Sequence, residues 1–93
     1  MRQITKHSVF SLGQVVATPG ALTALQKAGQ QPGEFLTRHV NRDLFDEDRK
    51  ENDHSLEHGF RLLSAYRTDA GDKLWIITES DRSVTTLLLP EEY

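Results

Sequence analysis

Nothing constrains this chain more than its last third. Between Phe60 and Leu89, three short apolar runs are divided by Asp69-Ala70-Gly71-Asp72 and by the polar cluster Thr78-Glu79-Ser80-Asp81-Arg82-Ser83. Apolar runs bounded by turn-forming residues read as strands, here residues 60–68, 73–78 and 83–89 of an antiparallel meander. The middle run, Leu74-Trp75-Ile76-Ile77, is apolar on both faces. A sheet has two faces, and a chain of 93 residues has little else with which to cover them both. The pattern therefore predicts a surface built to meet something else.

The first turn fixes the expected register. Pairing Thr68 with Lys73 sets Ala65 opposite Ile76 and Tyr66 opposite Trp75. One face then carries Leu63, Ala65, Leu74, Ile76, Val84 and Leu88. The other carries Leu62, Tyr66, Trp75, Ile77 and Leu87. A Tyr66–Trp75 pair would stabilise the sheet by roughly 0.2–1 kcal/mol. The same two side chains are also favoured anchors of binding surfaces.

The first half of the chain reads as helical. Residues 1–11 read as a flexible arm, and 12–17 as a short extra strand. Thr18 can cap a helix, Pro19 suits its first position, and Gly29 suits its end. Leu22, Leu25 and Ala28 keep an apolar spacing of three between them. A second helix over residues 33–40 carries Phe35, Leu36 and Val40 on one side. Asp46 can cap a third, with Glu47, Asp48 and Glu51 near its positive end. The expectation is a single α+β domain. Two to three N-terminal helices pack on a three-stranded antiparallel β-meander, to which the short N-terminal strand can add.

Composition removes several function classes. The formal net charge is −3, against the clustered cations that duplex nucleic acid requires, so nucleic acid is not expected as the main ligand. Seven of the eleven cations are arginines, which suit local forked contacts to carboxylate or phosphate. The chain has no cysteine, hence no disulfide, thiolate metal site or cysteine nucleophile, which fits a reducing cytoplasm. No apolar run has membrane-spanning length, and the first residues lack the apolar stretch of a signal peptide. A cytoplasmic protein with no membrane contact and no cofactor is expected.

Three constellations bear chemistry. His54 and His58 lie four apart in the form His-x-x-Glu-His, a spacing that zinc uses. The little chain that follows favours two exposed histidines and no metal. Arg61, Glu79, Asp81 and Arg82 gather at one end of the meander. They read either as turn chemistry or as an anion site with a general base, as in small metal-independent ribonucleases, with His39 as the acid. Asp46, Glu47 and Glu51 form an acidic helix face, either solvated or turned toward a basic partner.

Three segments carry a resemblance. Residues 12–22, residues 59–66, and residues 75–86 with the closing Leu89-Pro90-Glu91-Glu92-Tyr93 are similar to a family of small proteins carried by bacterial plasmids and integrative elements. Members carry a Gly-Asp-Trp-Gly-type loop after the second helix, where this chain has Asn41-Arg42-Asp43-Leu44-Phe45. The resemblance implies a mobile-element accessory protein and names no activity. Together with the apolar second sheet face, it leads to a non-enzymatic protein that binds a host or element-encoded protein, a defence component among the candidates. A homodimer through the same face is the simplest form. The alternative is an RNA-cleaving or nucleotide-binding protein built on Glu79, Arg82 and Arg61.

Overall fold

The computed structural model describes residues 11–41 and 61–93. The elements run β1 (Gln14–Ala17), α1 (Pro19–Ala28), α2 (Pro32–Val40), β2 (Leu62–Arg67), β3 (Lys73–Thr78) and β4 (Val84–Leu88), closed by a 3₁₀ turn at Pro90–Glu92. The expected third helix, with Asp46, Glu47, Glu51, His54 and His58, lies outside the described residues, as does most of the expected arm.

Both helices begin where their residues favour it. The Thr18 hydroxyl accepts from the Ala21 N–H at 3.2 Å, Pro19 occupies the first turn, and Gly29 closes α1. Pro32 opens α2 one residue ahead of the expected Gly33. Ala21, Ala24 and Leu25 of α1, with Phe35, His39 and Val40 of α2, turn inward.

The α+β class holds, while the three-stranded meander needs correction. The sheet has four strands in the order β1-β4-β3-β2. β2, β3 and β4 are antiparallel neighbours, and β1 runs parallel to β4, pairing Gln14 with Val84 through Ala17 with Leu87. Gly13 makes this possible. Its φ is +64°, and a Cβ placed there would stand 2.3 Å from the Ser83 carbonyl oxygen. The next residue then joins the sheet, the Gln14 N–H donating to the Ser83 carbonyl at 2.9 Å.

The register also needs correction. Arg67, not Thr68, pairs with Lys73, so Tyr66 stands opposite Leu74 and Ala65 opposite Trp75. The cause is the turn. Thr68 and Asp72 bracket a three-residue loop in which Gly71 takes a φ of +92° and donates to the Thr68 carbonyl at 2.9 Å. A shift of one residue exchanges the faces of a strand. Leu62, Ser64 and Tyr66 therefore turn inward beside Leu74, Ile76, Thr78, Thr85 and Leu87. The outer face takes Leu63, Ala65, Trp75, Ile77, Val84, Thr86 and Leu88.

The helices cover the inner face. Ala21, Leu25, Phe35, Tyr66, Leu74, Ile76 and Leu87 form its core, with Ala17 and Leu36 packed at its margin. A polar chain runs beside them. His39 Nδ1 lies 2.5 Å from Ser64 Oγ, and its Nε2 lies 2.9 Å from Thr78 Oγ1. Thr78 Oγ1 lies 2.7 Å from Thr85 Oγ1, which donates to the Leu12 carbonyl at 2.7 Å.

A carbonyl can only accept, so this chain has one direction. Thr85 spends its proton on Leu12 and must accept from Thr78. Thr78 must then accept from His39 Nε2–H. The network thus assigns a proton to Nε2. Burial pushes the His39 pKa down to about 4, so above that pH the ring is neutral and Nδ1 accepts from Ser64.

Candidate functional site

The outer sheet face is the place where apolar side chains meet solvent beside charge. Leu63 stands opposite Ile77, and Ala65 opposite Trp75, on adjacent strands. Leu88 flanks Trp75 from β4. Ile77 and Leu88 are buried, whereas Leu63 is 43% exposed and Val16 39%. The face is thus a floor with open ends rather than a closed core.

The C-terminal segment crosses this floor. After β4, the Glu92 carboxylate turns back to the start of α1. It accepts from the Thr18 hydroxyl at 2.5 Å, the Gly20 N–H at 3.0 Å and the Leu89 N–H at 2.9 Å. The Thr18 hydrogen bond is the main reason that its pKa falls below the usual value, with Leu89 and Gly20 adding to it. Anchored this way, the segment sets Tyr93 edge-on to Trp75, ring centroids 5.9 Å apart. Arg61 donates to the Tyr93 hydroxyl at 3.0 Å and meets Glu79 at 3.3 Å. Its pKa is raised, first by the Tyr93 hydrogen bond and also by the Glu79 charge. Arg61, Leu63, Trp75, Ile77 and Tyr93 line a hollow of about 300 Å³.

The structure divides the predicted residues. Arg61, Trp75 and Glu79 belong to this face. Tyr66 does not, because the register places its ring on the inner side, 5.7 Å from the Phe35 ring and under the Arg38 guanidinium at 4.5 Å. Asp81 holds its own turn, accepting from the Ser83 N–H at 3.0 Å and the Ser83 hydroxyl at 2.6 Å. Those two bonds lower its pKa. Arg82 has a φ of +61° and directs its guanidinium to the Glu79 and Ser80 carbonyls at 3.0 and 3.2 Å. The expected acid, His39, is 1% exposed and sits in the core. Of the Glu79, Arg82 and Arg61 cluster, Arg61 meets Glu79 at 3.3 Å, while the Arg82 guanidinium bonds backbone carbonyls and His39 lies apart in the core.

Residues that the sequence reading passed over complete the site. Tyr93 gave no signal because its role depends on the fold-back through Glu92. The expected register sets Leu63 on the face of Leu74 and Ile76, away from Trp75, whereas it stands opposite Ile77 on the Trp75 face. Arg67 and Lys73, direct cross-strand partners, follow Ala65 and Trp75 along the same face. Their signal was the flanking of a hairpin turn by two cations. Among the described residues no group of three or more His, Cys, Asp or Glu can hold a metal ion. No helix among them is long and apolar enough to cross a membrane. No protein-family model, curated protein or solved structure matches this chain.

Proposed function

We propose that this chain is a small non-enzymatic binding protein that acts by protein–protein contact through its outer sheet face. The observation that carries this reading is the state of that face. Its inner counterpart is covered by two helices, while Leu63 remains 43% exposed and Tyr93 71% exposed around a half-buried Trp75. Aromatic side chains held rigidly in a shallow apolar hollow are the usual centres of protein interfaces. The polar cluster offers less to catalysis, since Asp81 and Arg82 are engaged in forming their turn. An accessory role in a mobile element, with a host or element-encoded protein as partner, rests on the resemblance of residues 12–22, 59–66, 75–86 and 89–93.

The test uses two variants on this face, Leu63→Glu and Trp75→Ala. Tagged wild-type protein, expressed in bacterial cells, should carry one stoichiometric protein partner or a second copy of itself. Mass spectrometry and light scattering distinguish the two. Leu63→Glu should abolish the association with little change in thermal stability, because the side chain is already open to solvent. Both variants keeping every association intact would overturn the reading.

A further inference from the structure

A second hollow, of about 530 Å³, adjoins the apolar one and shares Trp75 with it. Arg38, Ala65, Tyr66, Arg67, Lys73 and Trp75 line it. Among the described residues that line it, three of six are cations and none is a carboxylate, in a chain whose formal net charge is −3. Tyr66 belongs to the inner side of β2 and Trp75 to the outer, so the hollow reaches round the β2 edge of the sheet. The register builds its charged end. Arg67 and Lys73 are cross-strand partners on the outer face, both exposed. Arg67 donates to the Gly71 carbonyl at 2.9 Å, which orders its guanidinium beside the turn. The small Ala65 opposite Trp75 leaves room over the strand pair.

The face therefore runs from two exposed cations, past Trp75, to the apolar hollow of Leu63, Ile77 and Tyr93, and ends at the Arg61–Glu79 pair. Accepting that the outer face is a protein-binding surface, we infer that its partner presents an acidic, amphipathic polypeptide segment. Apolar side chains of that segment fill the Leu63–Trp75–Tyr93 hollow, and its carboxylates meet Arg67 and Lys73. One feature favours polypeptide over single-stranded nucleic acid: Leu63 and Ile77 give the hollow aliphatic walls rather than the successive aromatic platforms that bases need.

The test pans a phage-displayed random peptide library on the wild-type protein. Selected peptides are then measured against Arg67→Glu/Lys73→Glu and against Leu63→Glu. The expected peptides interleave Asp or Glu with apolar residues. They bind the charge-reversed variant about tenfold more weakly or worse, with the deficit shrinking as salt is raised. Arg67→Gln/Lys73→Gln carries the same expectation in weaker form, should the reversed variant fail to fold. Neutral or basic peptides that ignore the charge variants but are lost on Leu63→Glu would overturn the acidic segment and leave the binding face standing. Selection of nothing above the Leu63→Glu background would overturn both. Binding of oligo(U) that the charge reversal abolishes, with no acidic peptide selected, would overturn the polypeptide assignment in favour of nucleic acid.

Discussion

The imidazole Nε2 of His39 lies 2.9 Å from Thr78 Oγ1, and Thr78 must accept there because its own proton is committed to Thr85. The neutral ring is therefore satisfied on both sides, and burial holds its pKa at about 4, below the ordinary 6.5. The unfolded chain takes up the proton first as pH falls. Stability contributed by this residue is complete above about pH 6.5 and declines toward pH 4, by a total on the order of 3 kcal/mol. Urea denaturation across that range should show the decline in wild-type protein. His39→Gln should be less stable at pH 7 and should lose this part of the slope.

Gly13 is predicted to tolerate no side chain. A Cβ would approach the Ser83 and Arg82 carbonyl oxygens to 2.3 and 2.5 Å, at a backbone φ that L-residues rarely adopt. Gly13→Ala should destabilise by about 2 kcal/mol or more. Hydrogen exchange should show lost protection at β1 in particular, with the β2–β3 hairpin retained.

Arg82 offers the opposite case. Its positive φ is a cost of about 1–2 kcal/mol for an L-residue, which glycine would remove. The guanidinium contacts to the Glu79 and Ser80 carbonyls offset part of that cost. Arg82→Gly should change stability by less than about 0.5 kcal/mol, whereas Arg82→Val should be clearly destabilising because a β-branched residue is worst at this φ. Thermal melts of the pair decide the point.

The Arg61–Glu79 pair should matter little to stability. Its side chains are 45% and 43% exposed, and exposed ion pairs contribute about 0–1 kcal/mol. Glu79→Gln should melt close to wild type and should leave any RNA-degrading activity of the preparation unchanged. Metal-independent RNA cleavage lost on this one substitution would contradict the binding function.

Trp75 is the single tryptophan, so its fluorescence reports on the outer face without ambiguity. Tyr93→Ala removes the ring beside it and should shift the emission to longer wavelength. Glu92→Gln should produce a smaller shift in the same direction, by loosening the segment that holds Tyr93.

How legible a feature was in the sequence followed its locality. The caps of α1 could be read directly, because Thr18, Pro19 and Gly29 act on their immediate neighbours. The ends of β3 could be read for the same reason. The register could not. Four turn-forming residues allow two loop lengths, and the choice depended on Gly71 closing onto Thr68. That single position exchanged Tyr66 for Ala65 beside Trp75 and, with it, the membership of the candidate site. The β1–β4 pairing gave no local signal, since its partners lie at opposite ends of the chain. His39 could be read as an acid only because the two hydroxyls that bond its ring, Ser64 and Thr78, come from strands distant in sequence.

The parallel pairing of β1 with β4 also sets an order of events. Leu12 and Thr85, joined by a hydrogen bond, are 73 positions apart in sequence. Contacts of such range require the whole intervening chain to be closed into a loop, which slows folding. During synthesis β1 emerges early yet has no place in the sheet until β4 has left the ribosome. The carboxylate that accepts from the Thr18 hydroxyl and the Gly20 N–H waits still longer, for Glu92 to arrive. A nascent chain that stops short of residue 84 therefore lacks both the sheet partner of β1 and this tie to the start of α1.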